Sequence, residues 1–88
     1  MLLSQWDGHI REISGALAAR DAQLLRRSAH TLKGLLAMFH ADQARRHAAG
    51  VESAAKDERW LDAQAEEEAL QLDLVLVRAD LEAFVAAG

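Results

Sequence analysis

The chain has 88 residues, enough for one small domain and too few for two. It contains no cysteine, which excludes disulfide frameworks and thiolate chemistry, and no apolar run approaches the ~20 residues of a membrane span. The formal net charge of −4 is unevenly spread: from Arg20 to Arg46 the cations Arg20, Arg26, Arg27, Lys33, Arg45 and Arg46 are offset only by Asp21 and Asp42, which argues against general nucleic-acid binding and for docking of one acidic partner or a phosphate.

There is no proline, and Ala, Leu, Glu, Arg and Gln dominate, so an all-α chain is expected. Leu3, Trp6, Ile10, Ile13 and Leu17 recur at steps of three and four and predict a first helix over about 2–19. Asp21 is the N-cap candidate of a second helix, about 22–39, with Leu24 and Leu25 inside it. Asp42 is the next capping candidate. Ala44, Ala48, Val51 and Ala55 then mark the buried stripe of a third helix over about 42–56, and Asp57 falls in the turn after it. In a fourth helix, about 59–86, the stripe is Leu70, Leu74, Val77, Leu81 and Phe84, with Leu61, Leu72 and Val75 expected to widen the face. Within it "LQLDLVLV" alternates with period two as a strand would, yet it has no flanking turn signal and no partner strand, and helix is the expectation. Trp6 and Trp60 are expected as core or core-edge anchors. Four amphipathic helices with short connections predict one domain over 1–88, an antiparallel up-down four-helix bundle. No secretory signal is visible at the start, so the expected location is cytoplasmic, without direct membrane contact.

The second helix carries the informative residue. At about 100° per residue, Leu25, Leu32, Leu36 and Phe39 lie on the side opposite His30, with Ala29 and Leu35 at the edges of the apolar arc. Around His30 lie Gln23, Arg26, Arg27, Lys33, Gly34 and Ala37, which disfavours a buried histidine. Lys33, one turn on, can reach a group attached to the ring. Gly34 costs about 1 kcal/mol of helix propensity relative to Ala, and its benefit would be access, since it leaves the imidazole without a bulky neighbour.

"AHTLKG" at 29–34 resembles the signature of histidine-containing phosphotransfer domains of bacterial-type phosphorelays, in which His is followed by Lys at the third and Gly at the fourth position on the second helix of an antiparallel four-helix bundle. The resemblance covers nearly the whole chain. Departures accompany the matches: Leu35 and Leu36 stand where small residues are common, His40 precedes Ala41 in place of Gly, and Ala44 and His47 replace apolar positions often held by Leu. The small Ala44 and Ala48 are read as making room for Leu35, Leu36 and Phe39.

The resemblance implies a role for each residue. His30 would be the phosphoryl acceptor through its ring nitrogen distal to the backbone, Lys33 would stabilise phosphoryl charge, and Gly34 would give steric access. Arg26 and Arg27 would add longer-range attraction. The implied partners are response-regulator receiver domains and a hybrid sensor histidine kinase, docking over Gln23, Arg26, Arg27, Ala37 and Met38, with Gly8, Glu12 and Gly15 as further candidates on the first helix. No nucleotide loop is present and no carboxylate cluster surrounds His30, so the chain is expected to be a carrier without autokinase activity or a cofactor of its own, and Mg²⁺ is expected in the receiver. Two alternatives stand beside this reading. One is a docking module that no longer transfers phosphate. The other is a metal-binding bundle of His9, His30, His40 and His47, disfavoured because no two of them sit at i and i+3 or i+4 within a helix.

Overall fold

Apolar residues at helical spacing, interrupted three times by short polar segments, form four helices in the computed structural model, which describes the backbone of residues 2–87 and the side chains of residues 7–77 and 79. They are α1 (Leu2–Ala19), α2 (Ala22–Met38), α3 (Asp42–Lys56) and α4 (Trp60–Ala87), with no strand among the described residues. Residues 70–77 are helical despite their alternation. Helix α2 packs most extensively on α3, α3 on α4 and α1 on α2, while α4 touches α1 more lightly. Among the described residues no Cα of α2 lies within 8 Å of one in α4, and none of α1 within 8 Å of one in α3.

The core joins Ile13 and Ala16 of α1 to Leu25, Ala29, Leu32 and Leu36 of α2, and to Ala63, Leu70 and Leu74 of α4. Helix α3 contributes only short side chains, Ala44, Ala48, Val51, Ala54 and Ala55, so its backbone approaches its neighbours closely. Leu35, Phe39, Trp60 and Val77 pack against this core from its edge. Leu3, Trp6, Leu81 and Phe84 lie outside the residues whose side chains are described.

Two expectations are corrected. Leu61, Leu72 and Val75 do not widen the buried face of α4: they are 82%, 71% and 65% exposed. The buried stripe runs Ala63, Glu67, Leu70, Leu74, and at about 100° per residue the other three lie roughly 120–180° away from Ala63. Asp42 is not a cap. It is the first residue of α3, and Ala41 occupies the N-cap position with no side-chain hydrogen bond. Asp21 does cap α2, its carboxylate accepting from the Leu24 N–H at 3.1 Å.

All three turns use one device. Arg20, His40 and Glu58 adopt left-handed backbone, with φ of 52°, 57° and 54°. The residue after each reaches back into the finished helix: Asp21 N–H to Ala16 C=O at 2.9 Å, Ala41 to Leu36 at 3.2 Å, Arg59 to Ala54 at 2.8 Å. These are helix-terminating Schellman bonds, and they satisfy carbonyls that would otherwise have no partner. The carbonyls of Asp21, Ala41 and Arg59 then accept the first bond of the next helix, at 2.9 Å each. Two or three residues suffice to end one helix and start the next.

Candidate functional site

Asp21 sets where α2 begins, and the stripe Leu25, Ala29, Leu32, Leu36 sets which way it faces. Together they leave the His30 side chain 66% exposed on the far side from the core. Beneath it lies Glu52, which α3 holds at the groove edge beside the buried Val51. Glu52 Oε2 is 2.9 Å from His30 Nδ1, and Glu52 Oε1 accepts from Lys33 Nζ at 2.7 Å. A carboxylate can only accept, so the ring proton sits on Nδ1 and the lone pair on Nε2. No described residue hydrogen-bonds to Nε2. The neutral imidazole therefore presents a nucleophilic nitrogen to solvent, with an ammonium one turn away.

Partial burial pushes the Glu52 carboxyl up, but the hydrogen bonds from Lys33 and His30, with their charges, outweigh it and hold the group below the ordinary carboxylate range. Gly34 is exposed, and a Cβ built there would meet nothing within 4 Å. Nothing inside the chain requires a glycine at this position.

Of the residues read from the sequence, Gln23, Arg26, Arg27, His30 and Lys33 line one open groove between α2 and α3. Gly34, Ala37 and Met38 are exposed on α2 outside that groove, Met38 by 73%. On α1, Gly8 and Gly15 are exposed with nothing near them, whereas Glu12 accepts a 2.5 Å hydrogen bond from the buried Ser28 hydroxyl and ties α1 to α2. The far wall of the groove was missed: Ala49, Glu52, Ser53 and Lys56 of α3. Glu52 lies 22 residues from His30, and no spacing rule relates side chains on different helices. The one available signal was a lone Glu flanked by the apolar positions Val51 and Ala55 on the predicted stripe.

A second histidine has a different environment. His47 Nδ1 is 2.9 Å from Glu66 Oε2 of α4, and its Nε2 is 3.2 Å from Asp73 Oδ2, so both ring nitrogens face carboxylates. The Asp73 oxygen is close enough for an ion pair but is not aligned for a hydrogen bond. Where α3 meets α4, a Cβ on Gly50 would collide with the Glu66 side chain. His40 lies in the turn after α2, and His9 is half-buried on α1. Among the described residues, no group of three or more His, Asp or Glu side chains is arranged to hold a metal ion.

No helix among the described residues is long and apolar enough to cross a membrane. A family model for the Hpt domain matches residues 1–87. No curated protein and no solved structure matches the chain.

Proposed function

The chain belongs to the Hpt domain family, whose members carry phosphoryl groups on histidine in phosphorelays, and from that premise we propose that His30 is its phosphoryl acceptor. The observation that carries the reading is an exposed imidazole whose Nδ1 is bound to Glu52 and whose Nε2 is free. In the reaction, the Nε2 lone pair attacks the phosphorus of a receiver's aspartyl phosphate. The N–P bond forms as the P–O bond to the aspartate breaks, and the aspartate leaves as a carboxylate. Positive charge that develops on the ring is offset by Glu52 through the Nδ1 proton. Phosphoryl transfer passes through a loose transition state with charge on its equatorial oxygens, where positioning and electrostatics dominate. Lys33, released from Glu52, supplies one cation to those oxygens; Mg²⁺ held by the receiver would supply another. The reverse sequence passes the group to a second receiver.

The helix pairing and the two- and three-residue turns support an antiparallel up-down bundle as the scaffold. On this reading the chain is a carrier fed by a receiver or a hybrid histidine kinase, and it works in the cytoplasm. The test is transfer of label from a radiolabelled, phosphorylated receiver domain, with His30→Gln in parallel. Label on the wild type alone, lost in acid and stable in alkali, is the expected result. No label from several receivers, with both proteins folded, would leave a docking module that does not transfer phosphate.

A further inference from the structure

Five large apolar side chains are exposed among the described residues, and four of them, Leu61, Leu72, Val75 and Leu76, belong to α4. With Leu72 set at zero and about 100° per residue, the other three fall within roughly 60° of it, while the core residues Ala63, Leu70 and Leu74 fall about 160–180° away. Single exposed apolar residues are ordinary on a protein surface, but a contiguous stripe on one helix face is not. This stripe also has a period. Leu61, Ala65, Glu68, Leu72, Val75 and Ala79 are all exposed and follow one another at steps of four and three, the seam positions of a heptad, with Leu76 beside them. At 1.5 Å per residue the seam runs for about 27 Å. One apolar stripe seats α4 on the bundle, and this second one is turned away from it.

Charge decides what can cover it. From Leu61 to Val77 the chain has five acidic residues and no Lys, Arg or His, and α4 as a whole has seven acidic residues and one Arg, a net charge of −6. Glu68 occupies a seam position, is exposed, and has no hydrogen bond or ion pair among the described residues. A second copy of α4 laid on the seam would bury Glu68 with no cation to meet it and would bring two helices of −6 together. An anionic lipid surface is repelled by the same charge. We infer that the outer face of α4 is a docking seam for a helix of another protein, one with apolar residues at heptad spacing, a Lys or Arg facing Glu68, and basic residues along its flanks. The facing cation would fix the register, as a single polar seam residue does in coiled coils, and the basic flanks would meet the acidic surface beside the seam. This face is independent of the phosphotransfer reading. Among the described residues no Cα of α4 lies within 8 Å of one in α2, and the seam is on the side of α4 away from the core, so a helix seated there leaves His30 uncovered. A chain held by this face is tethered while its imidazole stays free.

The experiment uses the full chain and a synthetic helical peptide of about three heptads, with Leu at the seam positions, one central seam Lys, and Lys on the flanks. Anisotropy of the fluorescently labelled peptide is expected to show saturable binding. Leu72→Glu, at an exposed position, is expected to fold normally and to weaken that binding at least about tenfold. The variant adds negative charge, so mere attraction of a basic peptide would rise in it. Replacing the central Lys of the peptide by Glu should weaken binding to the wild-type chain about tenfold, and Glu68→Lys should reverse that preference. No binding, equal or tighter binding by Leu72→Glu, or a preference that Glu68→Lys leaves unchanged would each overturn the inference. Sedimentation equilibrium of the chain alone is expected to give a monomer. A dimer that Leu72→Glu dissociates would assign the seam to a second copy, and flotation with phosphatidylcholine vesicles that Leu72→Glu abolishes would assign it to a lipid surface; either result overturns the docking of a basic helix. None of these readouts needs phosphoryl transfer, so failure of the His30 assignment would leave them unchanged.

Discussion

His30 and His47 begin from the same contact and end in different surroundings. Each offers Nδ1 to a glutamate on the next helix at 2.9 Å, His30 to Glu52 and His47 to Glu66. Each has a glycine within the following turn, Gly34 and Gly50. What differs is the other side of the ring. His30 Nε2 opens to solvent, whereas His47 Nε2 faces Asp73, and the space a Gly50 side chain would need is filled by Glu66. A histidine–carboxylate pair is therefore not in itself a reactive site. On the phosphotransfer proposal it would become one when the second nitrogen is left free, and the position of the helix face relative to the core decides that.

The strongest way to break this comparison is to exchange the losses. His30→Gln is expected to abolish phosphoryl transfer with little change in stability, since the side chain is mostly exposed. His47→Ala is expected to retain transfer and to lose about 1 kcal/mol, because Glu66 loses the ring N–H it accepts from and Asp73 loses the imidazole beside it. Urea melts beside transfer assays check both. Transfer surviving in His30→Gln would reverse the assignment of the two rings.

Glu52→Gln sharpens it. The amide can still accept from Nδ1, but it loses the charge that offsets the ring and can rotate to offer a donor instead, so transfer is expected to slow about tenfold to a hundredfold. The substitution also has a pH signature. The Glu52 carboxyl is held below its ordinary range in the folded chain. Its ionised form therefore stabilises the fold above that range, and the contribution is lost as pH falls through the folded value. Glu52→Gln should lack that component, its urea midpoint falling less than the wild type's between neutrality and the acid side of the carboxylate range. For a pair this accessible the amount is modest, up to about 1 kcal/mol.

How much of this was legible in the sequence follows from how far each feature reaches along the chain. Helix bounds came within a residue or so, because the apolar repeat and Asp21 act over one or two turns. The outward direction of His30 came from the same local arithmetic. Glu52 and Lys56 did not, because they join the site only once α3 is laid against α2. The exposed Leu61, Leu72 and Val75 were misread by residue type: they are apolar, but their angular position on α4 puts them opposite Ala63 and Leu70. The turns hid for another reason. Glycine is the usual mark of a left-handed helix terminus, and Arg20, His40 and Glu58 carry that conformation without it.

The two glycines give the finest test of the comparison, because the same substitution should have opposite signs. Gly50→Ala puts a methyl where the Glu66 side chain lies. That chain is flexible and can move, but moving it breaks its bond to His47, so a loss of about 1 kcal/mol is expected despite the better helix propensity. Gly34→Ala meets nothing and should raise stability by about 0.5–1 kcal/mol. A chain that would be more stable with alanine has no folding reason for glycine beside His30. Gly34→Leu then separates the remaining explanations: it should fold, melt near the wild type, and still transfer poorly, because the added bulk meets only the incoming partner. Normal transfer by a folded Gly34→Leu chain would mean that the partner never approaches that closely, and that the free Nε2 and the charges around it are enough.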